Sequence, residues 1–326
     1  MNIRSPGQLD WGAWKRILYR LYINVGRENL MLVAAGMAFY GLLGLVPAIG
    51  ALAAVYGMVA DAGDIRTHLE LLADVMPAEA LDILRERVDA ASLEAEEAGL
   101  GWRAGIGVLL AAWTAKAGVN AAMTGLNLAY RERDDRSIVV SMAHSYALTL
   151  ILLLVAGITV ATLVVTPTVM ALVPLGPWAT WLAEIVRWPI AFGAAVLGLG
   201  ALYRWGPHRR RARASWLSWG AVTAATLWVI ASLLFTYYVR AFGAYGEGYG
   251  ALGAVLALLM WFWLSALCAL LGGALNAEME YETQADTTIG PERPKGARGA
   301  WVADHHPDDP GPQRNPEAAE PVGRTT

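Results

Sequence analysis

Cysteine is almost absent from this sequence, which has Cys268 as its single example in 326 residues. One cysteine excludes an intrachain disulfide and a cysteine-rich metal site. Because Cys268 lies among leucines and alanines, we expect it to act as a small packing group.

Charged residues are also scarce. They make up 16% of the chain, and apolar residues make up 56%. A soluble domain usually carries about 25% charged residues. Together with a mean hydropathy of +0.41, this composition predicts a membrane protein.

Histidine is too dispersed to suggest a catalytic metal. The five histidines are His68, His144, His208, His305 and His306. A metal-dependent nuclease needs clustered His and Asp ligands. We therefore expect no metal site, no cofactor and no catalytic residues, and predict that the chain is not an enzyme. "DHHPDD" in the tail reads as a solvated segment. The basic stretch "HRRRAR" has a topological explanation, so we expect no specific nucleic-acid partner.

Six long apolar runs dominate the middle of the chain. A spanning helix needs roughly 20 mostly apolar residues. The runs cover residues 31–60, 105–126, 138–165, 185–203, 216–238 and 251–275. They predict an all-α, polytopic membrane protein with six transmembrane helices.

The distribution of lysine and arginine predicts the orientation. The N-terminal segment, the second-to-third and fourth-to-fifth connections and the C-terminal tail hold eighteen of the 25 basic residues, and the alternate connections hold six. Basic residues beside spans stay cytoplasmic. We therefore expect a multi-pass protein of the bacterial plasma (inner) membrane with both termini in the cytoplasm.

Three segments are predicted to lie outside the membrane. Residues 1–30 should hold a cytoplasmic, interfacial amphipathic helix, because apolar and basic residues alternate there at helical spacing. Within the transmembrane domain, 31–282, the acidic external loop 61–103 should be helical. Residues 283–326 are rich in proline, glycine and charge, which predicts a disordered cytoplasmic tail.

Several stretches resemble one known family. "AAGMAFYGLLGLVP", "GLNLAYRERDDRS" and "YGALGAVLALLMWFWLSALCALLGGALNAEME" occur in the order found in the YihY/BrkB family, from about residue 20 to residue 282. The resemblance implies a six-helix bacterial inner-membrane protein. The family has carried a ribonuclease BN label and a virulence label, and some members are discussed as envelope-lipid or small-molecule transporters.

The second predicted span carries a stripe of polar residues. Lys116, Asn120 and Asn127 share one helical face, with Thr124 beside them. A lysine near the bilayer centre costs about 2.5–3.5 kcal/mol on insertion scales. The stripe could line a substrate or proton path. Alternatively, the lysine snorkels to the interface and the asparagines join helices by hydrogen bonds.

Two further groups have a functional and a structural interpretation. His144, in the third span, could relay protons on this path, or it could be a hydrogen-bonded packing partner. Arg240 and Glu247 flank the last external loop. They could form an external gate, or an exposed ion pair in a short re-entry loop.

The stretch "GALNAEMEYE" ends the last predicted span. We expect Asn276 to cap or pair helices at the inner boundary, and Glu278, Glu280 and Glu282 to lie at the cytoplasmic surface. The resemblance implies a glutamate where this chain has Ala274, so the most embedded carboxylate is missing. The second span is therefore the better candidate for a site.

These observations favour a transporter or flippase of an envelope lipid or small amphipathic solute. The alternative is a non-catalytic envelope scaffold that binds partner proteins. A polar cavity reaching Lys116 and Asn120 would favour transport, and a dry bundle would favour the scaffold. Expected partners are membrane lipids, a lipid or small-solute substrate and a second copy of the chain in a homo-oligomer.

Overall fold

A computed structural model of the chain describes residues 6–57, 101–172, 177–241 and 251–309. Within these ranges the chain is helical and forms no β-strand. A single antiparallel bridge there pairs Ala212 with Thr288. The all-α prediction is thus confirmed for the described part of the chain.

In the described ranges, six long helices follow a shorter N-terminal helix and precede a short C-terminal one. Their bounds are α1 (Trp11–Arg27), α2 (Leu30–Gly57), α3 (Gly101–Ala129), α4 (Ile138–Leu172), α5 (Pro177–Trp205), α6 (Ala214–Ala241), α7 (Ala251–Tyr281) and the short α8 (Trp301–Asp304). In their described parts, the six predicted apolar runs fall within α2 to α7, one run to each helix. A helix of 28 residues, the length of α2, reaches about 42 Å, which exceeds the roughly 30 Å hydrocarbon core.

Three helical segments in the described ranges are long and apolar enough to cross a membrane. They are Ile138–Thr159, Trp216–Val239 and Val255–Tyr281. Helix α1 and the segment Leu30–Leu45 would count as a fourth if they form one broken span. Membrane crossing is thus supported, while six spans and cytoplasmic termini remain predictions.

A sharp bend separates α1 from α2. The Asp10 side chain caps α1 by accepting a hydrogen bond from the Ala13 N–H at 2.7 Å. The helix ends at Arg27, and Asn29 then adopts a left-handed φ of 52°, a conformation that asparagine tolerates better than most residues. The two helices meet at 62°.

Helix α1 packs on the protein as well as presenting an exposed face. Ala13 and Ile17 are buried, and Ile17 packs in a cluster with Leu275 and Met279 of α7. Leu18 is 50% exposed. Helix α1 thus has a buried and an exposed face, and α7 covers part of its apolar surface, while its position at the membrane interface stays a prediction.

Helix α7 is central to the bundle and contacts α1, α2, α3 and α6. Its approach to α6 is close: a Cβ added at Gly272 would lie 2.5 Å from the Gly220 carbonyl oxygen. Asn276 uses this proximity, accepting from the Gly220 N–H at 2.8 Å and donating to the Leu217 carbonyl at 3.2 Å. The prediction that Asn276 pairs helices is therefore confirmed.

In the part of the chain whose side chains are described, a buried core lies at one end of the bundle. This is the end at which α2, α4 and α6 begin and α3, α5 and α7 end, and we call it the basic end because the arginine-rich connections lie there. Its largest buried side chains include Tyr130, Tyr203, Leu126 and Trp216. The Tyr203 hydroxyl donates to the Ala269 carbonyl at 2.6 Å, joining α5 to α7.

The C-terminal segment, residues 283–309, is folded, whereas its composition predicted disorder. Arg298 is 7% exposed and donates to the carbonyls of Gln284, Ala285 and Ala303 at 2.6–3.2 Å. Trp301 stacks on Tyr281 with 5.6 Å between the ring centroids. The composition did not predict this fold because the segment has few apolar residues of its own. Its contacts come from one arginine, which hydrogen-bonds three carbonyls, and from one tryptophan, which packs on α7. Residues 310–326 and the loop region 58–100 lie outside the described residues.

Candidate functional site

A groove with a mainly apolar lining and three polar side chains lies between α2 and α3. Its volume is about 360 Å³. Helix α3 contributes Lys116, Asn120 and Thr124 to the lining, and Trp113 and Tyr40 add aromatic surface. Gly36 lies one turn before Tyr40 on α2, and a Cβ added to it would meet no atom within 4 Å, so the groove is open at that point. Three residues of the predicted path therefore share one cavity.

Lys116 lies deep along its helix. It is thirteen residues before the end of α3 at Ala129, which is about 20 Å at 1.5 Å per residue. Its Nζ atom lies 5.4 Å from the centre of the Tyr146 ring of α4. Attraction between an ammonium group and an aromatic face favours a charged lysine at this position.

Asn120 and Thr124 present polar groups to the open side of the groove. Both residues are exposed. The Thr124 hydroxyl donates to the Asn120 carbonyl at 3.0 Å, which satisfies the hydroxyl within the helix. The Asn120 side chain makes no hydrogen bond to another described residue, so its amide is available to a ligand.

Asn127 and His144 lie away from the groove, although we predicted them on the same path. Asn127 is 7% exposed, and its Oδ1 accepts from the backbone N–H of His208 at 2.7 Å. His144 Nε2 hydrogen-bonds the Trp205 carbonyl. Helical periodicity placed Asn127 on the face of Lys116, but the helix end meets the α5–α6 connection there. Both residues join connections at the basic end.

A second, smaller cavity occupies the basic end. Its volume is about 160 Å³. The lining includes Arg136, His144, Arg204, His208, Arg209 and Arg211. These residues come from α4, the end of α5 and the two arginine-rich connections. We call it the basic cavity.

The three glutamates that end α7 are buried, which corrects the prediction that they lie at the surface. Glu278, Glu280 and Glu282 are 2%, 0% and 5% exposed. Arginines from other parts of the chain reach them because α1, the α3–α4 connection and the C-terminal segment cover this end of α7. Because the three glutamates are followed by a polar tail in the sequence, their local sequence did not predict that other segments bury them.

Four arginines and three glutamates form five ion pairs in two groups at the end of α7, and we call them together the ion-pair network. Arg20 binds Glu278 at 2.7 Å and Glu282 at 2.5 Å, and Arg131 binds Glu278 at 2.8 Å. Arg16 reaches Glu282 at 2.6 Å and Arg209 reaches Glu280 at 2.7 Å. Removing one partner of a buried pair typically costs about 3–5 kcal/mol. The network therefore ties α1, the α3–α4 connection and the α5–α6 connection to α7.

Burial and neighbouring charge shift the pKa values around this network. Burial raises the pKa of Glu132 to about 7, although the Trp301 N–H and Arg209 oppose the shift. Burial also raises the pKa of the Tyr130 hydroxyl, whose ring lies 4.6 Å from the Arg209 guanidinium carbon. Burial of Arg209 favours its neutral form, but Glu280 and Tyr130 outweigh that effect and raise its pKa. Arg209 therefore stays charged.

The side chains of Arg240 and Glu247, the predicted external gate, lie outside the described residues.

Within the described ranges, no group of three or more His, Cys, Asp or Glu side chains is arranged to hold a metal ion. His305 lies in the C-terminal segment and stacks on Trp301 with 4.3 Å between the ring centroids.

Comparison with known protein families shows which family this chain belongs to. The family model described as virulence factor BrkB matches residues 21–297. The chain belongs to the BrkB family. The match includes α2 to α7, the groove, the basic cavity and most of the ion-pair network, and it supports a membrane location for the chain.

Two relatives of this BrkB-family chain are similar to it over most of their length. A protein named putative ribonuclease-like protein YfkH from Bacillus subtilis (strain 168) is 29% identical over 272 residues, 81% of this chain and 93% of that protein. A UPF0761 membrane protein from Pseudoalteromonas translucida (strain TAC 125) is 27% identical over 274 residues, 82% of this chain and 87% of that protein. No solved structure matches the chain.

Sequence reasoning missed the aromatic part of the groove and the whole ion-pair network. Tyr40 lies in the stretch "AAGMAFYGLLGLVP", but nothing in its spacing points to Lys116. The network had one available sign, since Glu278 and Glu282 are four residues apart on one helical face. Its meaning depends on arginines from three different segments, which only the folded structure brings together.

Proposed function

We propose that this BrkB-family membrane protein moves an envelope lipid or a small amphipathic solute across the bacterial inner membrane, as a transporter or flippase. The observation that carries the proposal is the groove with Lys116, Asn120 and Thr124 along one side. A cavity at this position is the feature that we expected of a transporter and not of a packed scaffold.

The composition of the groove suits an amphipathic substrate. The lysine ammonium and the Asn120 amide can bind an anionic or polar group, and Trp113 and Tyr40 offer apolar surface to its hydrocarbon part. From Trp113 to Thr124 the lining extends about 16 Å along the helix axis, roughly half of the hydrocarbon thickness. A headgroup moving along this face would keep polar partners at depths where lipid offers none.

The other expectations are part of the same proposal. The absence of a catalytic arrangement in the sequence supports a role that is not enzymatic, and the ribonuclease-like name belongs to the Bacillus relative. Membrane lipids are the proposed surroundings and the source of a lipid substrate. Self-association of the chain and cytoplasmic termini are likewise proposed. The scaffold is the less favoured alternative, because a scaffold has no need of an open groove.

A lipid-translocation assay tests the proposal directly. The full-length protein is reconstituted into vesicles with a fluorescent phospholipid, and a membrane-impermeant reductant reports how much label reaches the outer leaflet. We expect wild-type protein to accelerate translocation and Lys116→Met to lose most of that acceleration. Lys15→Met removes the same charge from exposed α1 and serves as the matched control.

Solute transport is tested in cells that lack the gene. Complementation with wild type or Lys15→Met should restore the wild-type response to amphipathic toxic solutes, and Lys116→Met should not. A correctly folded Lys116→Met protein with wild-type activity in both assays would refute the role of the groove.

A further inference from the structure

The basic cavity is separate from the groove and is built from different elements. His144 lies near the start of α4, Arg204 near the end of α5, and Arg209 and Arg211 in the connection that follows α5. Arg136 comes from the connection between α3 and α4. Four separate segments of the chain therefore bring cationic side chains to one concave surface.

The cavity has more positive than negative charge. Asp134 lies 3.2 Å from Arg136, and Glu280 lies 2.7 Å from Arg209. Within the described ranges, no carboxylate forms an ion pair with Arg204 or Arg211. Two of the four lining guanidinium groups thus lack an acidic partner there. The preference of basic residues for the cytoplasmic side explains why arginines occur in this connection, but not why they converge on one cavity.

The two paired arginines also have unused hydrogen-bonding capacity. The side chains of Arg136 and Arg209 are 9% and 3% exposed. In each, the Nη1 atom is buried and has no hydrogen-bond partner. Buried donors without a partner are rare in native proteins. Both atoms are out of contact with solvent, so an acceptor reaches them only when a neighbouring side chain moves.

We propose that the basic cavity binds a phosphate group. Its oxygens accept hydrogen bonds from the arginine forks, whose geometry matches phosphate, and its negative charge balances Arg204 and Arg211. A volume of about 160 Å³ is several times the roughly 30 Å³ that one water occupies in the liquid, so the cavity has room for a phosphate group. Basic cavities between membrane helices bind anionic headgroups in this way.

The phosphate can belong to an anionic phospholipid or to a small soluble compound, and the two sources are separated by the probe. Full-length protein is purified in an uncharged detergent. Inorganic phosphate and pyrophosphate are titrated at constant ionic strength, with Tm as the readout. In a parallel arm, native mass spectrometry counts phosphatidylglycerol molecules retained by the protein, with phosphatidylcholine as the zwitterionic comparison.

The test variant is Arg204→Gln with Arg211→Gln, because neither residue belongs to an ion pair that the change would break. We expect this double variant to weaken binding of the effective probe by about tenfold or more, given the strength of charge-assisted hydrogen bonds. Arg27→Gln makes the same kind of substitution at a single arginine at the exposed end of α1 and should bind within about twofold of wild type. Arg204→Lys with Arg211→Lys keeps the charge without the forks and should fall between them.

Each outcome decides the proposal. A Tm increase with phosphate or pyrophosphate that the double variant loses assigns a soluble ligand, and selective loss of phosphatidylglycerol assigns a lipid headgroup. The proposal is wrong if wild type binds none of these probes, if the double variant binds as wild type does, or if Arg27→Gln loses as much. Should the double variant fail to fold by gel filtration, the two single variants are judged by the same criteria.

Discussion

Single charged residues in this protein are stabilised in two different ways. Lys116 has an aromatic ring at 5.4 Å and an open groove beside it. Glu280 is fully buried, with Arg209 at 2.7 Å and the Thr287 hydroxyl at 2.8 Å. The first arrangement leaves the charge available to a ligand, and the second uses it within the fold. This difference separates the candidate site from the structural network.

Glu132 should make the stability of the folded protein depend on pH. Its pKa is raised from 4.5 to about 7, so the folded chain holds this proton more tightly than the unfolded chain does. The stabilisation is present below pH 4.5 and is lost as the pH rises through about 7. In the wild-type protein, the Trp301 N–H donates a hydrogen bond to Glu132 at 2.7 Å. The Glu132→Gln side chain stays neutral at every pH and keeps an oxygen that can accept this bond. We expect this variant to be more stable than wild type above pH 7, by no more than about 3 kcal/mol.

The measurement is Tm in detergent from pH 5 to pH 8.5. The difference between Glu132→Gln and wild type should grow as the pH rises. Glu292→Gln, which alters an exposed carboxylate of the C-terminal segment, should follow the wild-type curve. A constant difference across the pH range would show that Glu132 does not titrate in this window.

At the scale of elements, the C-terminal segment acts as a cover for the basic end. It packs Trp301 on Tyr281 and places Val302, 1% exposed, in the main core cluster. The backbones of residues 212 and 288 pair with one another. The Arg131 guanidinium carbon contacts both rings, at 4.5 Å from the centre of Tyr281 and 4.9 Å from that of Trp301. The segment is therefore joined to α7 and to both connections of this end.

Removal of this segment should destabilise the bundle. Truncation after Glu282 exposes Tyr281 and the glutamate network to water, and we expect a loss of at least about 2 kcal/mol, since a buried apolar side chain contributes about 1.5–3 kcal/mol. Thermal unfolding in detergent is the measurement. A chain that lacks only residues 310–326 is the matched control, because it keeps every contact named here. Equal Tm values for the two truncations would contradict the role of residues 283–309.

At the scale of the whole molecule, the basic end of the bundle and the groove beside it have different character. The basic end has the buried core, the ion-pair network and the basic cavity. The groove begins near this end, at Val33 and Thr124, and extends toward the middle of the helices. A protein built in this way can hold its helices together at one end while a lateral groove stays open to a ligand.

The orientation of the molecule can be tested by cysteine labelling. Cys268 is the single native cysteine, and Cys268→Ala provides the background. Lys15→Cys and Glu292→Cys should resist a membrane-impermeant maleimide in intact spheroplasts and react after lysis. Glu94→Cys, in the predicted external loop, should react before lysis. Labelling of either terminal site in intact spheroplasts would overturn the prediction of cytoplasmic termini.

Much of the architecture could be predicted because membrane helices have a strong local signal. Six apolar runs lie in six long helices in the described ranges, and Asn276 pairs helices as expected. Lys116, Asn120 and Thr124 were found because they share one helical face. Asn127 and His144 were assigned to the same path, but they hydrogen-bond the backbone of His208 and Trp205 instead. The spacing of residues on one helix does not specify which neighbouring segment packs against them.

The sequence alone determined the helical class, the apolar segments, the family and the polar face of α3, because each depends on composition, local periodicity or a run of consecutive residues. Only the tertiary structure decided that Glu278, Glu280 and Glu282 are buried, that residues 283–309 fold, and that arginines from separate segments meet around one cavity. These features depend on contacts between residues as many as 266 positions apart, as between Arg16 and Glu282. Burial and pairing of charge are properties of the assembled end of the bundle, and no short stretch of the chain contains them.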